Sequence, residues 1–342
     1  MRNNDGAFYR SFRKMSLPER LLWKPLGDPR TLINGTLWTE KINNPLLYAS
    51  GNQVFLYRGG QDGERSEILA DTQGREYFDP LTGWEFFGRV TPASFFTPPD
   101  KHLDPAVCHA HGKFRLFWSQ VGQGEKRGGR HRIGLATSTD GLNFTRVGPA
   151  DGIMDGRAPE IVFHNDTFHL FVELRPRDRG QPESPPGNNW CLYYLFTSDD
   201  GVHFHQALDR PVIPPGPSGD WDSFNIATLR IVREEEYFYM LYCASDRTND
   251  WLQNVGIARS LNLTTWEKSP MNPVFGRCVD DWLGSCWYPT SLRIGTNRYF
   301  MYEYTGIPLA EPETAYGKPR RTPKFVRGLS VLSNVLLREY FP

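Results

Sequence analysis

The chain has 342 residues in which 39 Lys and Arg balance 39 Asp and Glu, without a long run of either sign. That balance argues against nucleic acid or an anionic membrane as partner, and no apolar run reaches the roughly 18 residues of a membrane span. Five cysteines, an odd count without a CxxC pair, argue against a disulfide framework or a zinc knuckle.

In chain order, residues 1–20 are polar and basic, with no apolar signal-peptide core. They predict a short helical or mobile arm on a soluble, cytoplasmic protein. The following RLLWKPLGD predicts a strand that closes a ring. From Asn44 a unit then recurs five times, as a turn, a short strand, a polar tip and an aromatic-rich strand. The copies read NPLLYASGNQVFLYRG from Asn44, DPAVCHAHGKFRLFWS from Asp104, APEIVFHNDTFHLFVE from Ala158, NIATLRIVREEEYFYMLYC from Asn225 and YPTSLRIGTNRYFMYEY from Tyr288. After the inner pair comes a third strand, a polar turn and a returning edge strand, as in IGLATSTDGLNFTRV, LYYLFTSDDGVHFHQA and VGIARSLNLTTWEKS. Repetition of small antiparallel sheets at a spacing of about 60 residues predicts an all-β, five-bladed β-propeller with about four strands per blade and a central axial pocket. The repeats fill nearly the whole length, so residues 1–342 read as a single domain. The basic stretches EKRGGRHR and GKPRRTPK are Gly- and Pro-rich and read as solvated loops.

Inner-strand entrances are where the copies disagree. Alignment on the aromatic strands puts Asn44, Asp104, Ala158, Asn225 and Tyr288 in one position, and Leu46, Ala106, Glu160, Ala227 and Thr290 two residues on. On a face turned to the axis, Asp104 and Glu160 converge, and Asp222 of GDWDSFN adds a third carboxylate. Asp280 and Asp281 echo it in the fifth copy. Paired carboxylates among aromatics suit glycoside hydrolysis, one protonating the leaving oxygen and the other activating water or attacking carbon. Turn capping by Asp104 or Asp222 and an ion pair at Glu160 are the structural alternatives. The second-strand position reads Arg58, Ser119, Glu173, Cys243 and Glu303, and makes Arg58 and Glu173 candidates for sugar hydroxyls or for orienting a carboxylate. Aromatic residues make up 14% of the chain, and sugar CH groups stack on such faces. No HExxH, Ser-His-Asp order, phosphate loop or dinucleotide fingerprint occurs, so neither a cofactor nor a metal is expected.

At LDPAV, RAPEIV and GDWDS followed by YFYMLY, the chain resembles the five-bladed propeller glycosidases, the group that holds glycoside hydrolase families 43, 32 and 130. The resemblance covers nearly the whole chain, through short motifs. It implies a glycosidase acting on a terminal sugar or short oligosaccharide, with catalytic carboxylates around an axial pocket. Glu160 is then the expected general acid, Asp104 the base or its pKa partner, and Asp222 the transition-state stabiliser or alternative base. Asn44, Asn225, Trp221, Trp287 and Tyr288 would line the pocket. Two departures stand out. Asn44 occupies a place where family 43 carries an Asp, which opens the alternatives of a catalytically silent carbohydrate-binding propeller or, as in family 130, a glycoside phosphorylase. Arg157 stands where some relatives carry an acidic residue, which leaves the acid open between Glu160 and Asp222 and puts Arg157 among the substrate-binding candidates.

Overall fold

The computed structural model describes residues 18–21, 23, 42–62, 65–80, 83–91, 101–121, 131–153, 155–174, 191–246, 253–275, 278–279, 282–308 and 324–342. These residues form five four-stranded antiparallel sheets. Blade 1 holds β1 (Ile42–Ser50), β2 (Gln53–Asp62), β3 (Arg65–Gly74) and β4 (Glu85–Arg89). Blade 2 holds β5 (Lys101–Ala110), β6 (Lys113–Val121), β7 (His131–Ser138) and β8 (Thr145–Pro149). Blade 3 holds β9 (Arg157–His164), β10 (Thr167–Leu174), β11 (Leu192–Ser198) and β12 (His205–Gln206), and blade 4 holds β13 (Asn225–Glu234), β14 (Tyr237–Ser245), β15 (Asn254–Ser260) and β16 (Glu267–Lys268). Blade 5 is built from β17 (Cys278–Val279), β18 (Trp282–Ile294), β19 (Asn297–Pro308) and β20 (Lys324–Ser333). The strands β1, β5, β9, β13 and β18 neighbour one another in a closed ring. The expected five-bladed propeller is therefore the observed fold.

Alternation along the strands explains why the ring closes. In β2, Phe55 and Tyr57 point to the core shared with blade 2, while Val54 and Leu56 point to the core shared with blade 5. Among the described residues, one hydrophobic cluster fills each of the five blade interfaces. Burying a large apolar side chain contributes about 1.5–3 kcal/mol, so each blade is stable chiefly through its neighbours.

The third-to-fourth strand turns repeat one hydrogen-bonding pattern. Ser138 accepts from the amides of Asp140 and Gly141, and Asp140 accepts from those of Leu142 and Asn143. Ser260 and Asn262 do the same in blade 4, and in blade 3 Ser198 accepts from Gly201 and Asp200 from Val202 and His203. Short polar side chains that cap their own turn explain the recurring S-x-D/N signature. Gly141 has φ of +79°, and its carbonyl accepts from the Tyr57 hydroxyl of blade 1 at 2.7 Å. The turn thus also ties two blades.

At its described residues, 20, 21 and 23, the segment expected to close the ring as a strand departs from that expectation. Of RLLWKPLGD, Arg20 and Leu21 lie in a short 3-10 turn and Trp23 is not in a strand. Trp23 instead stacks on Phe300 at 4.1 Å and donates to the Tyr340 hydroxyl, which itself donates to the Leu21 carbonyl. The fourth strand of blade 5 is β17, paired to the start of β18. Residues 1–17, Asp280, Asp281, and most of EKRGGRHR and GKPRRTPK lie outside the described residues. Among the described residues no helix is long and apolar enough to cross a membrane.

Candidate active site

Each inner strand carries the same irregularity six residues before its end. Asn44, Asp104, Ala158, Thr228 and Tyr288 all have positive φ, at 58°, 56°, 44°, 21° and 51°, and the pairing register shifts beside each of them. These are β-bulges, which re-aim a side chain at a strand end. Asn and Asp tolerate the left-handed region, whereas Ala, Thr and Tyr pay roughly 1–3 kcal/mol and persist only where the surroundings over-determine them. The bulge places Thr228 in the fourth blade's equivalent position, three residues beyond the Asn225 that strand alignment put there. Residues two further on are accordingly Leu46, Ala106, Glu160, Arg230 and Thr290, so Arg230 replaces Ala227.

Side chains at the bulges meet around the axis. The Asp104 carboxylate receives the Asn44 side-chain amide on Oδ1 and the Ser119 hydroxyl on Oδ2 at 2.6 Å. Tyr288 shares a hydrogen bond with it. Burial, then the neighbouring Asp104 and Glu303 charges, hold the Tyr288 phenol well above its usual range, with Glu173 adding to the effect. The Asn44 backbone N–H donates to Glu303 Oε2 at 3.2 Å, so Asn44 lies between Glu303 and Asp104. Ser119 also accepts the Ala158 N–H at 2.7 Å, and Thr228 accepts that of Tyr288 at 3.2 Å. Blade is thus tied to blade by side chains that also build the site.

Arg157 and Glu173 form an ion pair facing each other across β9 and β10. Glu173 is buried, whereas the Arg157 side chain keeps 28% exposure. Burial alone would weaken the Arg157 charge, but Glu173, with help from Cys191 and Tyr288, holds the guanidinium protonated well above its usual range. The second guanidinium nitrogen donates to Cys191 Sγ at 2.7 Å, and the Cys191 amide donates to Asn225 Oδ1 at 2.8 Å. Asn225 therefore reaches Arg157 through Cys191. Trp287 is half-buried and pairs in register with Glu303.

Four other expected site residues are not brought to this cluster. Glu160 points into the interface between blades 3 and 4, where Oε1 accepts the Ile231 N–H at 2.9 Å and Oε2 pairs with Arg230 at 3.2 Å. Thr290 does the equivalent between blades 5 and 1, accepting the Leu47 N–H at 3.3 Å. Glu160 thus holds a blade-clasp position, and its burial raises its pKa to about 7 against the pull of Arg230. Asp222 pairs with Lys268 of β16 at 2.6 Å and accepts from the Tyr242 hydroxyl at 3.4 Å, while Trp221 stacks on Tyr242 at 5.7 Å. Both pack on blade 4. Arg58 pairs with Asp71 of β3 at 2.6 Å, because the second-strand position six residues after the strand start is Gly59, followed in the other blades by Ser119, Glu173, Cys243 and Glu303. One residue of offset turns a strand side chain to the other face.

Sequence reasoning passed over Thr228 and Arg230 and left Glu303 unassigned. The available signal was the hairpin tip, since counting six residues back from Ser50, Ala110, His164, Glu234 and Ile294 finds every bulge.

No protein-family model matches the chain. One curated relative, the A type blood N-acetyl-alpha-D-galactosamine deacetylase of Flavonifractor plautii, is 27% identical over an alignment of 141 residues that covers 37% of this chain and 18% of that protein. Among solved structures, a protein described as a glycoside hydrolase aligns with a TM-score of 0.61 at 13% identity over 98% of both chains. A thermostable family-43 glycoside hydrolase aligns with a TM-score of 0.56 at 18% identity, covering 85% of this chain and 88% of its own. A Bacteroides ovatus protein described as a putative glycoside hydrolase gives 0.58 at 12% identity, covering 85% and 86%. The chain shares the five-bladed propeller fold of these hydrolases.

Proposed function

We propose that the axial end of this propeller binds a small carbohydrate or glycoside and hydrolyses it, with Asp104 as the group that activates water. The observation that carries this reading is the grip on Asp104 by Asn44, Ser119 and Tyr288 at the ring of bulges. Three donors hold an acceptor-only carboxylate in one orientation, which suits a general base. Glu303, on the far side of Asn44, is the second carboxylate and the candidate proton donor to the leaving oxygen. This revises the expected set, because Glu160 and Asp222 have structural partners. Glu173, Arg157 and Asn225 would bind hydroxyls, and Trp287 with Tyr288 would stack on the sugar face. All five blades act as one unit in this reading, in the cytoplasm, without cofactor or nucleic acid.

Hydrolysis is favoured over phosphorolysis on charge. Arg157 is already engaged by Glu173 and Cys191, so a phosphate beside it would face Asp104, Glu173 and Glu303 with that arginine committed. Release of reducing sugar from a glycoside panel, lost in Asp104→Asn and independent of added phosphate, is the expected result. Full turnover by Asp104→Asn would overturn the reading, and binding without turnover would mark a silent lectin-like propeller.

The sequence match to an N-acetylgalactosamine deacetylase favours a second reading, hydrolysis of the N-acetyl group of a sugar at the same site. Acetate release from N-acetylhexosaminides with the glycosidic bond intact separates it from the first.

A further inference from the structure

Arg230 is a buried charge outside the axial cluster, yet its contacts end at that cluster's backbone. One guanidinium nitrogen donates to the Pro105 carbonyl at 2.9 Å. The other donates to the Pro159 carbonyl at 3.3 Å, to Glu160 Oε2 at 3.2 Å and to the Leu229 carbonyl at 3.3 Å. Pro105 directly follows Asp104, and Pro159 directly follows Ala158. A single side chain from blade 4 therefore fixes the main chain of blades 2 and 3 at the residue after each bulge.

We propose that Arg230 is a positioning residue that sets the direction of the Asp104 carboxylate, with Glu160 holding the guanidinium in place. Asp104 is in the left-handed region, where an L residue stays only if its neighbours hold it. On its side-chain side it is held by Asn44 and Ser119. On its main-chain side the next carbonyl is held by Arg230. The planar fork spreads its donors over two nitrogens, one on the Pro105 carbonyl and one on the Pro159 carbonyl and Glu160, whereas a lysine's donors radiate from a single point. The Ile231 N–H, on Glu160 Oε1, supplies the second anchor that stops the arginine from swinging out.

The inference rests on the axial end being the reacting end, so its test has an arm that needs no activity. Arg230→Lys and the paired Arg230→Met with Glu160→Met are compared with the wild type and with Asp104→Asn. The paired change removes both buried charges together, which apolar replacement usually tolerates. Crystal structures of the two variants are expected to show Asp104 released from Asn44 or Ser119. Turnover is expected to fall on the order of 10²-fold in kcat, the scale of a small misplacement of a reacting group, with KM within about threefold. Asp104 unmoved in both variants overturns the proposal, as does unchanged kcat where Asp104→Asn is inactive. If Asp104→Asn keeps full turnover, the hydrolytic reading fails instead, and the position of Asp104 alone decides the role of Arg230.

Discussion

The entrances of blades 2 and 3 share one backbone and use it for opposite ends. At Leu103–Asp104–Pro105–Ala106 the carboxylate sits on the bulge and faces the axis, with a small alanine two residues on in the interface with blade 3. At Arg157–Ala158–Pro159–Glu160 the small residue sits on the bulge, and the carboxylate, two residues on, enters the interface with blade 4. Displacement by two positions normally keeps a strand residue on its face. Here the bulge lies between them, and the same functional group becomes a candidate base in one blade and a clasp in the next.

Asp104→Asn is the severest test of that contrast. Turnover on a responsive substrate should fall on the order of 10²–10⁴-fold, the range for loss of a general base, while the melting temperature stays near that of the wild type. A large loss of stability instead would make Asp104 structural. Glu160→Ala should do the reverse. It strands Arg230 in the interface, and chemical denaturation should show a loss of about 3–5 kcal/mol. If Glu160→Ala stays as stable as the wild type, the clasp is wrong.

A pH series sharpens the same point. Burial holds Glu160 near 7 in the folded chain, against an ordinary value of 4.5. Between these values the folded state keeps a proton that the unfolded state has released, so this group's contribution to stability falls as pH rises from about 4.5 to about 7 and is flat above. Melting curves of Glu160→Gln should show a smaller decline over that window than the wild type, and identical slopes would contradict the assignment. The smallest effect is expected far from the axis. Asp140→Ala removes the acceptor of a single turn and should cost about 1 kcal/mol with no change in turnover.

Much of this was legible in the sequence because strand packing writes itself in alternation. The aromatic second strands and the five copies follow from residues that must point into blade interfaces, and the polar turns from side chains that cap their own backbone. Asn44, Asp104 and Tyr288 fall at the bulges where alignment on the aromatic strands put them, and each is followed by a proline. Blade 4 has Leu229 where the others have proline, and so Asn225 was aligned where Thr228 stands. Arg58 was misplaced by one residue, since Gly59 follows Asn44 at the same spacing at which Ser119 follows Asp104, and a one-residue offset changes the face. Left-handed backbone at Ala158, Thr228 and Tyr288 has no signature in those residue types, which favour other conformations. Glu160 looked catalytic because the partner that explains it, Arg230, lies 70 residues away in the next blade.

The ring of bulges also bears on how such a molecule changes over time. Strand pairing resumes on either side of each bulge, and the five copies already carry five different side chains there. Apart from Ala158, which packs in the interface between blades 3 and 4, each position is an exchangeable socket, open to new chemistry by single substitutions that leave the apolar interface clusters alone. A lineage built this way can trade one reaction for another, or for mere binding, faster than it can alter its shape, and shape is then a poor guide to which trade was made.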